Sequence, residues 1–137
     1  MIYFCVVFLL FAIDFLSKET VLRFLKFSKK ISFGLINLTY VENSGAAFGF
    51  FKGQKIFLSL LSITAIFLLS YHIIKKKSKL RTIETVIISG ILGNLFDRLF
   101  RGYIIDFIEL SFVKFPVFNL ADIFIIVGSV FLFFYLY

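Results

Sequence analysis

The sequence has no tryptophan and only one cysteine, one histidine and one proline. The lone Cys5 excludes an internal disulfide. It lies in an apolar run, and nothing in the sequence pairs it with a histidine base, so a cysteine nucleophile is not indicated. No serine-peptidase motif is present either. His72 stands by itself at the end of an apolar run, outside any cluster with metal-ligand spacing, so neither a metal nor another cofactor is expected. There is no internal repeat of the kind that builds many transporters. Acidic residues are scarce, 8 against 15 Lys and Arg, for a net charge of +7. That excess would suit nucleic acid, but the charges flank apolar runs. Anionic lipid headgroups are the better counter-charge, and no nucleic-acid partner is expected.

What the chain does have is apolar surface. It is 61% hydrophobic, with 22 Phe in 137 residues and a mean hydropathy of +1.02. A soluble domain is nearer half apolar. The excess must face lipid, which makes membrane lipids a partner. Four segments are candidate spans, at about residues 1–16, 56–74, 82–100 and 117–137. The second and fourth are long enough to cross unaided. The first is short, about 24 Å at 1.5 Å per residue, and crosses if its helix continues past Asp14 or the bilayer thins. It has no basic flank and no Ala-x-Ala site, so it is expected to stay as an uncleaved span. Lys75 to Arg81, between the second and third segments, carries five basic residues, which argues for a cytoplasmic loop and cytoplasmic termini. The connection of about residues 17–55 is then extracytoplasmic, although it too is rich in lysine. Its β-branched stretch Ile31 to Val41 suggests short strands. Asn43-Ser44-Gly45 is a turn signal. Ala46 to Phe51 fits a short helix lying on the bilayer. The expected fold is a single domain over residues 1–137. It is an all-α membrane four-helix bundle, with a small extracytoplasmic β-rich insertion and a short interfacial helix between spans one and two.

Ionisable groups inside spans are costly and often functional. Asp14 and Lys18 are four apart and share a helix face. They form either a helix-end ion pair that eases insertion or a wall of a site. Gly90, Asn94, Asp97, Arg98 and Arg101 lie on one side of the third segment. That stripe is either helix-packing glue, with Asp97 held by Arg98 or Arg101, or a site centred on Asp97. Gly90 and Gly93 allow a close helix approach. Asp106 follows the third segment, and Asn119, Ala121 and Asp122 open the fourth. Asp106 and Asp122 are therefore expected on the same membrane face, across one short connection. Two carboxylates a few ångströms apart do not both ionise easily. The ionised one takes a proton from water, and the protonated one polarises a carbonyl or protonates a leaving amine. The alternative is that Asp122 merely caps or snorkels at a span end. Other functional classes stay open on these residues. One is a small ion or proton transporter with intramembrane charges; another is an assembly factor whose Gly and Asn residues glue helices.

Five blocks resemble the lipoprotein signal peptidase (signal peptidase II) family, in the family's order. They are Asp14-Phe15-Leu16-Ser17-Lys18, Asn43 to Gly49, Gly90 with Gly93-Asn94-Leu95-Phe96-Asp97-Arg98, Gly102 to Phe107, and Phe118-Asn119-Leu120-Ala121-Asp122. The resemblance implies an aspartic endopeptidase of the bacterial cytoplasmic (inner) membrane, multi-pass, with its site at the extracytoplasmic face. It would remove signal peptides from prolipoproteins, cutting before a diacylglyceryl cysteine, and globomycin-type inhibitors would block it. A monomer is expected. The matching positions make Asp106 and Asp122 the catalytic pair. Asp14, Lys18, Asn43, Gly45, Gly90, Asn94, Asp97, Arg98, Asn119 and Ala121 line or support the site. Asp97 thus becomes a supporting residue, held by Arg98. Phe15 departs from the family, which usually has Gln there.

Overall fold

The computed structural model describes residues 2–28, 30–46, 50–75 and 80–136. Four helices, α1 (Ile2–Leu25), α2 (Lys55–Lys75), α3 (Arg81–Phe100) and α4 (Leu120–Leu136), accompany three strands, β1 (Ile31–Ser32), β2 (Ile36–Asn43) and β3 (Ile104–Leu110). The strands form one antiparallel sheet in the order β1-β2-β3.

α3 packs against all three other helices. Its glycines explain how they come so close. A Cβ at Gly90 would collide with the carbonyl oxygen of Ala121 on α4, and one at Gly93 with the Asp14 carboxylate on α1. Lys55 reaches the Leu99 carbonyl, while at the far end His72 contacts Glu84, so α2 runs antiparallel to α3. Asp14 lies beside Gly93 and Lys18 beside Asp97, so α1 runs parallel to α3. The ends of α1 and α3 meet the sheet. There Val21 and Leu25 of α1 pack with Ile105 and Phe107 of β3 in a buried core.

The first segment does not end near residue 16. The helix runs on to Leu25, because Asp14 and Lys18 turn inward and neutralise each other instead of breaking it. Phe15, where the resemblance leads one to expect Gln, stacks with Phe11, meets Phe96 edge to face and lies under the Arg101 guanidinium at 5.8 Å, clamping α1 to α3. The fourth helix starts later than expected. Phe118 pairs with Ile108 of β3, so α4 itself has 17 residues. Strands were expected only in the first long connection, yet β3 lies between the third and fourth segments. It pairs with β2 along most of its length, which ties the two connections into one sheet. The expected interfacial helix falls largely on residues 47–49, outside those described. On its flanks, Ala46 N–H donates to Phe50 O and Gly53 N–H donates to Ser44 O.

Among the described residues, α2 alone is both long and apolar enough to cross a membrane, with a mean hydropathy of 2.0. α1 and α3 carry charges, but they bury Asp14, Lys18, Glu84 and Asp97 and present apolar side chains outward. Phe4, Phe8, Ile56, Phe67, Phe100 and Phe134 are among the large hydrophobics left exposed.

Candidate functional site

Where the sheet meets the helices, a cavity of about 590 Å³ opens. Asn43, Gly45, Asn94, Arg98, Asp106 and Asp122 line it, together with an apolar wall that includes Ile104, Phe118, Ile125 and Ile126. The sheet aims one carboxylate into it. Asp106 stands opposite Val41, and Asn43 opposite Ile104. Alternation along a strand puts these four on one face and turns Ile105 and Phe107 into the core. Asn43 Nδ2 donates to Asp106 Oδ2 at 2.8 Å. The Asn43 Oδ1 accepts the Gly45 N–H at 2.9 Å, and the Gly45 carbonyl accepts from Arg98 Nη2 at 3.2 Å.

The N-terminus of α4 aims the second carboxylate. Asp122 N–H donates to Asn119 Oδ1 at 2.9 Å, and Asn119 N–H donates to Asp122 Oδ2 at 3.2 Å. This reciprocal pair is a capping box, which satisfies two N–H groups the helix start would otherwise leave without partners. Asp122 therefore does cap, as the alternative reading held, but its other oxygen, Oδ1, accepts from Asn94 Nδ2 at 2.7 Å. Asn119 is fully buried and links the two acids. Its Nδ2 donates to Asp106 Oδ1 at 2.7 Å and also reaches Asn94 Oδ1 and the Ile105 carbonyl. Burial, then the Asp122 charge, push Asp106 up to about 7, against the opposing pull of the Asn43 and Asn119 hydrogen bonds.

Behind the cavity lies a buried ionic chain. Lys18 Nζ is 2.7 Å from Asp14 Oδ2 and 3.1 Å from Asp97 Oδ2. Asp97 Oδ1 accepts from Arg101 Nε at 2.8 Å, and Arg101 also pairs with Glu19. The Asp14 Oδ1 accepts the Ala121 N–H at 2.9 Å, which ties α1 to the residue before Asp122. Asp97 is indeed no part of the cavity wall, but Lys18 and Arg101 hold it, not Arg98. Adjacent residues on a helix point about 100° apart. Asp97 therefore faces α1 while Arg98 faces the cavity. The Asp14–Lys18 pair is not an exposed helix-end pair, since both side chains are only 1% exposed.

The residues given a site role from the sequence thus gather at one place, some on the cavity and the rest behind it. Sequence reasoning missed Glu19 and β3, and it missed Glu42 and Lys52, which also line the cavity. The Asn119-x-x-Asp122 capping box was readable from its spacing alone.

A family model described as Signal peptidase (SPase) II matches residues 6–137. The chain belongs to the signal peptidase II family. Among its relatives is the lipoprotein signal peptidase of Caldicellulosiruptor bescii, 39% identical over 93% of this chain and 85% of the relative. That of Halothermothrix orenii is 38% identical over 96% and 92%. A solved structure described as a bacterial membrane enzyme, obtained by the in meso method, superposes with a TM-score of 0.91 at 25% identity, covering 98% of this chain and 86% of the other. A second of the same description gives 0.88 at 25% identity, covering 98% and 91%. This signal peptidase II is therefore a membrane protein and a peptidase that removes signal peptides from lipoproteins. The transporter reading of its buried charges finds no support.

Proposed function

We propose that this signal peptidase II is an aspartic endopeptidase with Asp106 and Asp122 as its catalytic pair. Its substrates are diacylglyceryl prolipoproteins, which it cuts before the lipidated cysteine. The observation that carries the reading is that two carboxylates line one cavity, joined through Asn119, with Asp106 pushed toward neutrality by burial and by Asp122. In the working state one acid is ionised and the other protonated. The ionised acid takes a proton from a water molecule, which attacks the scissile carbonyl. The protonated acid hydrogen-bonds the carbonyl oxygen as charge develops there, and a proton then passes to the leaving amine. Arg98 holds the Asn43–Gly45 turn over the cavity, and the apolar wall of Ile125 and Ile126 suits an acylated substrate.

The enzyme sits in the bacterial cytoplasmic (inner) membrane. The basic stretch from Lys75 to Arg81 marks the cytoplasmic side, which puts the sheet and cavity at the outer face and both termini inside. All four helices cross: α1 and α3 do so by turning their charges inward, and α4 with help from the extended residues before it. The enzyme works as a monomer. Globomycin-type inhibitors occupy this cavity.

The deciding experiment is cleavage of a diacylglyceryl prolipoprotein in detergent or lipid by Asp106→Asn and Asp122→Asn. Both are expected to insert and fold but to cleave nothing measurable. Undiminished cleavage by the two variants would overturn the assignment.

A further inference from the structure

The side chain of Lys18 is 1% exposed, and its ammonium touches three groups. Two are the carboxylates of Asp14 and Asp97, which more than neutralise it. The third is neutral: Asn94 Oδ1, at 3.1 Å. An ammonium has only donors, so whatever faces it must accept. The amide of Asn94 is consequently held with its oxygen toward Lys18, where Asn119 Nδ2 also donates to it at 3.2 Å. Its Nδ2 is left pointing the other way, onto Asp122 Oδ1 at 2.7 Å. A reversed amide would press its NH2 against the ammonium and the Asn119 amide, and its oxygen against the Asp122 carboxylate.

We propose that Lys18 is a positioning residue for the peptidase reaction, one that fixes the polarity of the Asn94 amide so that an N–H, never a carbonyl oxygen, faces Asp122. The same anchored oxygen orients Asn119, whose Nδ2 continues to Asp106 Oδ1. One buried cation on α1 thereby fixes the donor that faces Asp122 and supports the one that faces Asp106, without touching either acid. The other charged groups around Asp122 are Asp106 on β3 and Arg98 on α3. Neither contacts Asn94 Oδ1, so neither substitutes for Lys18.

The proposal rests on the two-aspartate reading, and its test is chosen to fail separately. Asn94→Asp keeps an acceptor for Lys18 but puts a carboxylate oxygen where the N–H now faces Asp122 Oδ1. Lys18 offsets part of the added charge, one of the two facing acids takes up a proton, and the unfolding temperature in detergent checks that the variant is folded. Its kcat on a diacylglyceryl prolipoprotein should fall about 100-fold, the scale of a displaced catalytic group, with KM little changed. Lys18→Met should show the same split between kcat and KM. If that variant does not fold, because Asp14 and Asp97 lose their counter-charge, Asn94→Asp decides by itself. Retention of wild-type kcat by Asn94→Asp, or by a folded Lys18→Met, while Asp122→Asn is inactive, overturns the positioning role and leaves the dyad standing. Cleavage by Asp122→Asn would instead remove the reading beneath it.

Discussion

Asn43→Ala removes a hydrogen bond from one oxygen of Asp106 and leaves the acid itself in place. The bond favours the ionised form, so its loss moves the proton affinity of Asp106 further up. A net hydrogen bond to a charged acceptor contributes about 1.5 kcal/mol, and one pKa unit corresponds to about 1.4 kcal/mol. The expected rise is therefore about one unit from the starting value of about 7. If Asp106 is the acid that carries the proton, kcat/KM falls as pH rises through that value, because the free enzyme loses its proton donor. The wild-type enzyme should then show a basic limb near 7, displaced upward by about one unit in the variant. The assay is cleavage of a diacylglyceryl prolipoprotein in detergent under kcat/KM conditions across neutral pH. Asn43 also accepts the Gly45 N–H, so the variant loses rate at every pH as that turn loosens. The position of the limb, and not its height, carries the test. A limb that stays put or moves to lower pH refutes the assignment of the proton to Asp106.

The same group ties stability to pH. Its folded value of about 7 lies above the ordinary carboxylate value of 3.8, so between the two the folded protein holds a proton that the unfolded chain has released. Stability from this source is fully present below about 4 and is lost as pH rises through about 7. The unfolding temperature in detergent should fall across that window, and Asp106→Asn should flatten the trend; an unchanged slope would count against it. Gly93→Ala places a methyl group against the Asp14 carboxylate at the α1–α3 contact. Overpacking of this kind costs about 1–3 kcal/mol, so the unfolding temperature should drop measurably. Wild-type stability in that variant would mean that the helices are not packed as described.

Much of the site is legible in the amino-acid sequence. Helical periodicity puts Asp97 and its neighbours on one side of the third segment, and chain order puts Asp106 and Asp122 at the two ends of one short connection. Motif order then points to the family. The spacing of Asn119 and Asp122 already encodes the cap that aims Asp122. These features are local or follow chain order, so residue spacing along one helix or strand is enough to determine them.

The partners of the buried charges are not legible in this way. Asp97 has Arg98 next to it in sequence, yet it pairs with Lys18, 79 positions away, and with Arg101. That choice depends on how α1 lies across Gly93, a contact between helices that no single segment records. The third strand escapes a sequence reading for a related reason. Ile104–Leu110 has strand-like residues, but a strand is stable only with a neighbour, and β2 lies on the far side of two helices in sequence. The length of α1 likewise depends on tertiary structure. Its charges end a lipid-facing run of sequence, but buried against one another they do not end a helix. Sequence determined which polar residues gather at the cavity and on which side of each element they stand. Packing alone decided which charge neutralises which, because desolvated ions are tolerable only where a partner's geometry satisfies them.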